Sequence, residues 1–247
     1  MMEAVYDAIA EWYDTAVREG SLIHDLVLPT IWDMIGSVDG RRICDLACGQ
    51  GIVSRQLAMR GAAVVGVDIS AKLLGIARRD EDTDPLGIAY QQEDAQGLHT
   101  LPDAGFDGVV CNMALMDIPD VAATFRAVRR ILQPTGWFVF SITHPCFQTP
   151  VSRWIEDADG TMSRAVRAYF DEGLWRSSNP TGVRGQVGAY HRTLATHIGA
   201  LTAAGLFVQQ ICEPRVTGSI ADQAPGYGEV PAVLVARCYI SARSDSF

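Results

Sequence analysis

The stretch Arg42-Ile43-Cys44-Asp45-Leu46-Ala47-Cys48-Gly49-Gln50-Gly51 constrains the fold of this chain more than any other. Its first half is apolar and strand-like, two glycines follow within three positions, and Val53, Leu57 and Ala58 begin a helical pattern at once. A strand that turns through glycines into a helix brings bare backbone against a ligand. A nucleotide-like cofactor is expected there. Further on, Val64-Val65-Gly66-Val67-Asp68 reads as a second strand ending in an acid, the position of a ribose-binding carboxylate in open α/β sheets.

From Arg41 onward strands and helices alternate, the pattern of a mostly parallel sheet covered on both faces. Strands are expected at 42–46, 63–67, 88–92, 107–112 and 136–143, and again at 206–212 and 232–240. Gly61 stops the first intervening helix, Ser70 caps the second, and Asp120 caps the one that runs to Leu132. Gln133-Pro134-Thr135-Gly136 makes the turn into the fifth strand, and Thr193 caps a helix that Gly205 stops. Ahead of the sheet, Glu3–Val17 and Leu22–Ile35 carry helical spacing, the latter interrupted by Pro29. These helices either cover the sheet or bring Tyr6, Trp12 and Tyr13 over a ligand. Between His144 and Gly188 periodicity fades, while Phe147, Trp154, Tyr169, Phe170 and Trp175 accumulate, as in a partly ordered aromatic lid. The chain reads as one domain over 1–247, with cap helices in 1–40 and a lid insert at 144–188.

Composition narrows the function classes. At 48% hydrophobic residues the chain can bury a substantial core, and a formal charge of −9 argues against the clustered Lys and Arg that nucleic-acid phosphates require. Lys72 is the single lysine. No apolar run approaches a membrane span and the start lacks a signal core, so no membrane partner and a cytoplasmic location are expected. The cysteines, Cys44, Cys48, Cys111, Cys146, Cys212 and Cys238, include no CxxC pair and read as reduced structural thiols rather than a metal site. The sequence sets no oligomeric state.

Two cofactor classes suit a glycine turn followed by an acid at the next strand end. A dinucleotide site wants G-x-G-x-x-G, and Ser54 stands in the third glycine's place, which weakens NAD or FAD. Asp45-Leu46-Ala47-Cys48-Gly49-Gln50-Gly51 resembles the first motif, D-x-G-x-G-x-G, of class I S-adenosylmethionine-dependent methyltransferases. Val67-Asp68-Ile69-Ser70 resembles their ribose motif and Glu93-Asp94-Ala95 their adenine motif. Phe106-Asp107-Gly108-Val109-Val110-Cys111-Asn112 and Leu132-Gln133-Pro134-Thr135-Gly136 are similar to their strand-four and strand-five motifs. The likeness runs in family order from about Tyr6 to Ile240.

The resemblance implies a Rossmann-like seven-stranded sheet, strand six parallel and strand seven antiparallel. It also implies S-adenosyl-L-methionine as cofactor, with S-adenosyl-L-homocysteine as product. Ala47, Gly49 and Gly51 would pass beside the methionine portion and Asp45 would engage its ammonium. Asp68 and Ile69 would take the ribose, Asp94 and the Ala95 amide the adenine, with Tyr13 and Asn112 completing the set. Ala47 departs from the family's glycine, and its methyl group fits provided that its φ is negative.

In that architecture the loops after strands four, five and six open on one edge, which brings together Asn112–Asp117, His144 and Pro214–Pro231, with His191 and Arg192 near the start of the following helix. His144 and His191 are the candidate general bases, because imidazole titrates near neutral pH. Tyr6, Asp117, Trp154, Trp175 and Tyr227 are the candidate substrate contacts. An aromatic lid over a concave site suits a small, partly hydrophobic molecule. The expected activity is methyl transfer to oxygen, nitrogen or carbon of a small metabolite or natural product. An RNA or protein methyltransferase, a catalytically silent cofactor-binding protein and an NAD-dependent oxidoreductase are the alternatives.

Overall fold

A computed structural model describes residues 4–241. In chain order its helices and strands are α1 (Ala10–Arg18), α2 (Leu22–Ile35), β1 (Arg42–Leu46), α3 (Ile52–Ala58), β2 (Ala63–Asp68), α4 (Ala71–Thr83), β3 (Ala89–Gln92), β4 (Phe106–Asn112), α5 (Val121–Ile131), β5 (Leu132–Thr143), β6 (Arg153–Glu156), β7 (Met162–Ala165), β8 (Gly173–Trp175), α6 (Val183–Gln186), β9 (Ala189–His191), α7 (Leu194–Ala203), β10 (Leu206–Cys212), α8 (Ser219–Gln223) and β11 (Val233–Ile240). Short 3-10 turns at Val5–Ala8, Leu115–Asp117 and Pro225–Gly228 complete the described elements.

Seven strands form one sheet in the order β10-β11-β5-β4-β1-β2-β3. β11 runs antiparallel to both neighbours, β10 and β5, and the remaining pairs are parallel. From β1 the chain builds outward through β2 and β3, then returns to place β4 on β1's other side. The strand order therefore reverses between β1 and β4, and a crevice opens beyond their carboxyl ends, where open α/β sheets bind ligands.

Alternating side chains supply both faces of the sheet, as the two-residue period of a strand requires. Cys44, Val65, Val109, Phe138 and Phe140 join α5 and α7 in one core cluster. Ile43, Val64, Val110, Val139 and Val235 join α2 and α3 in the other. The expected caps are present: Ser70 Oγ accepts the Leu73 N–H at 3.1 Å, Asp120 Oδ1 that of Ala123 at 2.8 Å, and Thr193 Oγ1 that of Thr196 at 3.1 Å.

Three local expectations change. Pro29 does not interrupt α2, because burying Leu26, Val27, Leu28, Ile31, Met34 and Ile35 outweighs the roughly 3 kcal/mol an interior proline costs. The turn expected at Gln133–Gly136 is absorbed into β5, whose pairing with β4 shifts register between Phe106 and Gly108. The insert at 144–188, largely without regular structure, nevertheless carries the short strands β6, β7 and β8. β6 pairs with β7, and β8 with β9, as two short antiparallel ribbons. Among the described residues no helix is long and apolar enough to cross a membrane, and no cluster of His, Cys, Asp and Glu could hold a metal.

Candidate functional site

The glycine turn after β1 is built from left-handed residues: φ is +54° at Ala47, +56° at Gly49 and +84° at Gly51. A Cβ on Gly51 would lie 2.3 Å from the Tyr90 hydroxyl, so that position demands glycine. A Cβ on Gly49 would meet only a Leu73 methyl at 3.9 Å, so the backbone there faces open space that a ligand can enter. Ala47 fails the condition set for it. Its φ is positive, and an alanine there carries strain of about 1–2 kcal/mol. Next to this turn, Asp45 is buried and accepts the Ser54 hydroxyl at 2.5 Å. Burial raises its carboxyl to about 7, against the pull of that hydrogen bond. Ser54, the residue that spoils a dinucleotide motif, is the partner of Asp45.

At the end of β2, Asp68 accepts the Gly49 N–H on Oδ2 and the Ser70 N–H on Oδ1, each at 2.8 Å. Each oxygen keeps acceptor capacity for a further donor. Burial pushes this carboxyl up to about 6, with the two backbone donors opposing. Asp68 lines a cleft of about 820 Å³, part of it open to solvent, together with Tyr13, Ala47, Gly49, Ile69, Asp94, Ala95 and Asn112. Two expected substrate contacts, Tyr6 and Asp117, line the same cleft. Asp94 Oδ1 accepts the Gln96 N–H at 2.9 Å, and Asn112 Oδ1 accepts the Ser141 hydroxyl at 2.7 Å. Asp45 lines a smaller adjoining hollow that shares Tyr13, Ala47, Gly49 and Asn112 with the main cleft. Gly51 lines neither. It caps α3 and lets Tyr90 approach.

An adenosyl ligand fits these residues. Gly49 leaves room beside the backbone, Asp68 offers unsatisfied acceptors for paired hydroxyls, and among the described residues no Lys, Arg or His side chain lines the main cleft to repel a sulfonium.

The amino-terminal segment is bolted onto the site. Ser70 Oγ donates to Asp7 Oδ1 at 2.5 Å, and Tyr6 meets Tyr13 edge-on at 5.1 Å between ring centroids. Burial, helped by the Asp117 carboxylate, raises Tyr13 to about 12 and Tyr6 well above its ordinary value. Asp117 Oδ2 accepts the Tyr6 hydroxyl at 3.3 Å, and Oδ1 is paired with Arg184 from α6 of the insert. Behind Asp117, buried Arg192 donates to the carbonyls of Leu115 at 3.2 Å, Ile118 at 2.5 Å and Pro119 at 2.6 Å.

The remaining expected residues lie elsewhere. His144 Nδ1 accepts the Cys146 N–H and its Nε2 donates to Glu213 at 2.6 Å; burial lowers its pKa, with Glu213 opposing. His191 Nε2 donates to the Tyr169 carbonyl at 2.8 Å and lines a separate cavity of about 300 Å³ with Trp175. Neither imidazole lines the main cleft, so the structure does not bring the two expected bases to it. Trp154 and Tyr227 pack edge-to-face at 5.1 Å and line neither this cleft nor that cavity. Arg184, Asp7 and Ser141 were not anticipated. Only Ser141, a polar residue inside the apolar run Phe138–Ile142, left a readable trace.

The order-reversing sheet, the glycine turn and the acid at β2 define an open α/β protein with an adenosyl-type cleft. Comparison with known proteins narrows this to one family. The profile described as "Methyltransferase domain" matches residues 44–140. A crystal structure of an S-adenosylmethionine-dependent methyltransferase from Mesorhizobium loti is 32% identical with a TM-score of 0.75, covering 89% of this chain and 98% of that one. A putative S-adenosylmethionine-dependent methyltransferase from Listeria monocytogenes is 27% identical with a TM-score of 0.71, over 89% and 98% of the two chains. A ubiquinone biosynthesis O-methyltransferase of Alkalilimnicola ehrlichii is 34% identical over 142 residues, 56% of this chain; the match spans 57% of that relative's length. The chain belongs to the class I S-adenosylmethionine-dependent methyltransferases.

Proposed function

We propose that this protein transfers the methyl group of S-adenosylmethionine to an oxygen, nitrogen or carbon atom of a small molecule, oxygen being favoured. The observation that carries the reading is Asp68, whose two oxygens each hold one backbone donor while facing the cleft built by the glycine turn. Asp68 and Ile69 would hold the ribose, Asp94 and the Ala95 N–H the adenine, and Asp45 with the Ala47–Gln50 backbone the methionine end. When bound, the donor supplies an electrophilic methyl group on a sulfonium. The chain's own task is alignment, charge complementarity and exclusion of water. Tyr6 and Tyr13 cover the cleft and Asp117 faces its interior.

Oxygen is favoured by the likeness to relatives named O-methyltransferases. A nucleic-acid acceptor is disfavoured by four carboxylates in the cleft lining, Asp68, Glu93, Asp94 and Asp117. All six cysteines are unpaired, which suits a reducing cytoplasm as the place of action.

Incubation with S-adenosylmethionine and a panel of small phenols, alcohols and amines, followed by mass spectrometry, tests the reading. The expected result is a methylated small molecule with matching release of S-adenosylhomocysteine. Methylation confined to RNA or protein acceptors, or none above the acceptor-free control, would overturn it.

A further inference from the structure

Asp117 stands apart from the other acids of the cleft. Asp68 is braced by backbone N–H groups of the glycine turn and of its own turn, and Asp94 by the backbone and side chain of Gln96, whereas Asp117 is braced by side chains from the amino-terminal segment and from the insert. Arg184, from the insert, takes Oδ1, and its guanidinium also donates to the Gly188 carbonyl at 3.2 Å. Among the described residues Oδ2 has only the Tyr6 hydroxyl, at the long distance of 3.3 Å. A contact that long is weak and readily exchanged for a better donor.

The charge arrangement has a direction. Arg184 does not line the cleft but Asp117 does, so the cation neutralises the carboxylate from behind and a ligand meets the acid first. With Asp68 and Asp94 taken up by the adenosyl group, the carboxylate that an anionic acceptor meets is Asp117 itself, a like charge. An O–H or N–H donor would find in Oδ2 a charged acceptor, the stronger kind of hydrogen bond. Val5, Met113, Ala114 and Ile118 give the same region apolar walls.

We infer that Asp117, held from the insert by Arg184, is the recognition point for the methyl acceptor, and that it selects an uncharged, partly apolar small molecule presenting an O–H or N–H donor over one carrying a carboxylate or phosphate. The inference rests on the methyltransferase reading above. Tyr6 yields Oδ2 to the arriving donor, and Arg184 keeps the carboxylate aimed. Because Arg184 belongs to the insert, acceptor recognition and placement of the insert depend on one carboxylate.

Calorimetric titration of the S-adenosylhomocysteine-loaded protein with 2-methoxyphenol and with benzoate, near neutral pH, tests this. In the wild type the phenol should bind and benzoate should bind roughly tenfold more weakly or not at all. Asp117→Asn should weaken the phenol roughly tenfold and narrow that discrimination, with S-adenosylhomocysteine affinity within about twofold of wild type. Tyr6→Phe, which removes only the competing hydroxyl, should leave phenol binding equal or tighter, and it carries the test should Asp117→Asn fail to fold. Benzoate binding as tightly as the phenol, no phenol binding at all, or phenol affinity indifferent to Asp117→Asn or lost in Tyr6→Phe would overturn the inference. So would an Asp117→Asn variant that loses S-adenosylmethionine but not S-adenosylhomocysteine, since Asp117 would then face the sulfonium. Failure of the wild type to bind S-adenosylhomocysteine would instead overturn the methyltransferase reading.

Discussion

Asp68 Oδ2 accepts the backbone N–H of Gly49 at 2.8 Å, so the acidic end of β2 is bonded directly to the glycine turn that ends β1. The two halves of the expected cofactor seat are thereby fixed to each other before any ligand arrives. Asp68→Ala removes both the proposed ribose acceptor and this brace, and should weaken S-adenosylhomocysteine binding roughly 10- to 100-fold, measured by calorimetry. Because burial places the Asp68 carboxyl at about 6, wild-type affinity should hold above that pH and fall as pH drops through it, where protonation removes an acceptor. A flat affinity between pH 5 and 8 would contradict the role.

Asp45 predicts a pH effect on folding of the opposite sense to ordinary acid denaturation. Its carboxyl titrates at about 7 in the folded chain against an ordinary 3.8, so the folded state holds a proton that the unfolded state has released. Stability from this group is greatest below 3.8 and is lost as pH rises toward 7. Asp45→Asn removes the effect. Relative to that variant, the wild type should lose stability on the order of 4 kcal/mol between acid and neutral pH, read from urea denaturation.

The turn makes a paired prediction. Ala47→Gly relieves a positive φ and should raise stability by about 0.5–1 kcal/mol, once glycine's extra unfolded-state entropy is subtracted. Gly51→Ala should do the reverse and more strongly, because the added methyl lands on the Tyr90 hydroxyl. Thermal melts of the two variants on either side of wild type would bear out this geometry.

Arg192 braces the turn that carries Asp117. Arg192→Met leaves the Leu115, Ile118 and Pro119 carbonyls without their shared donor, and should cost about 2–4 kcal/mol while speeding amide exchange over 115–119. Arg192→Lys should recover little of this, since an ammonium lacks the planar fork that spans separate carbonyls. Wild-type melting in both variants would contradict the bracing role.

What could be read from the sequence was local. Alternation of Ile43 with Cys44 and of Val109 with Val110 announced strands buried on both faces, and Ser70, Asp120 and Thr193 announced helix starts through their own side-chain chemistry. The ribbons of the insert escaped because strands of three or four residues carry no period long enough to see. Ala47 hid its positive φ, because alanine does not advertise a left-handed site as glycine does. Placement of His144 and His191 at the ligand edge followed from strand order, but strand order does not say where a ring points; Glu213 and the Tyr169 carbonyl hold them. Arg184 reaches Asp117 across 67 residues of sequence, a pairing that only the folded insert creates.

The most direct test of the account is titration of the wild-type protein and Asp68→Ala with S-adenosylhomocysteine, NAD serving as control. Saturable binding of S-adenosylhomocysteine at one site per chain is expected, weakened roughly 10- to 100-fold in Asp68→Ala with the fold intact by circular dichroism, and no heat from NAD. Equal affinity in the two proteins, or binding of NAD in place of S-adenosylhomocysteine, would contradict it.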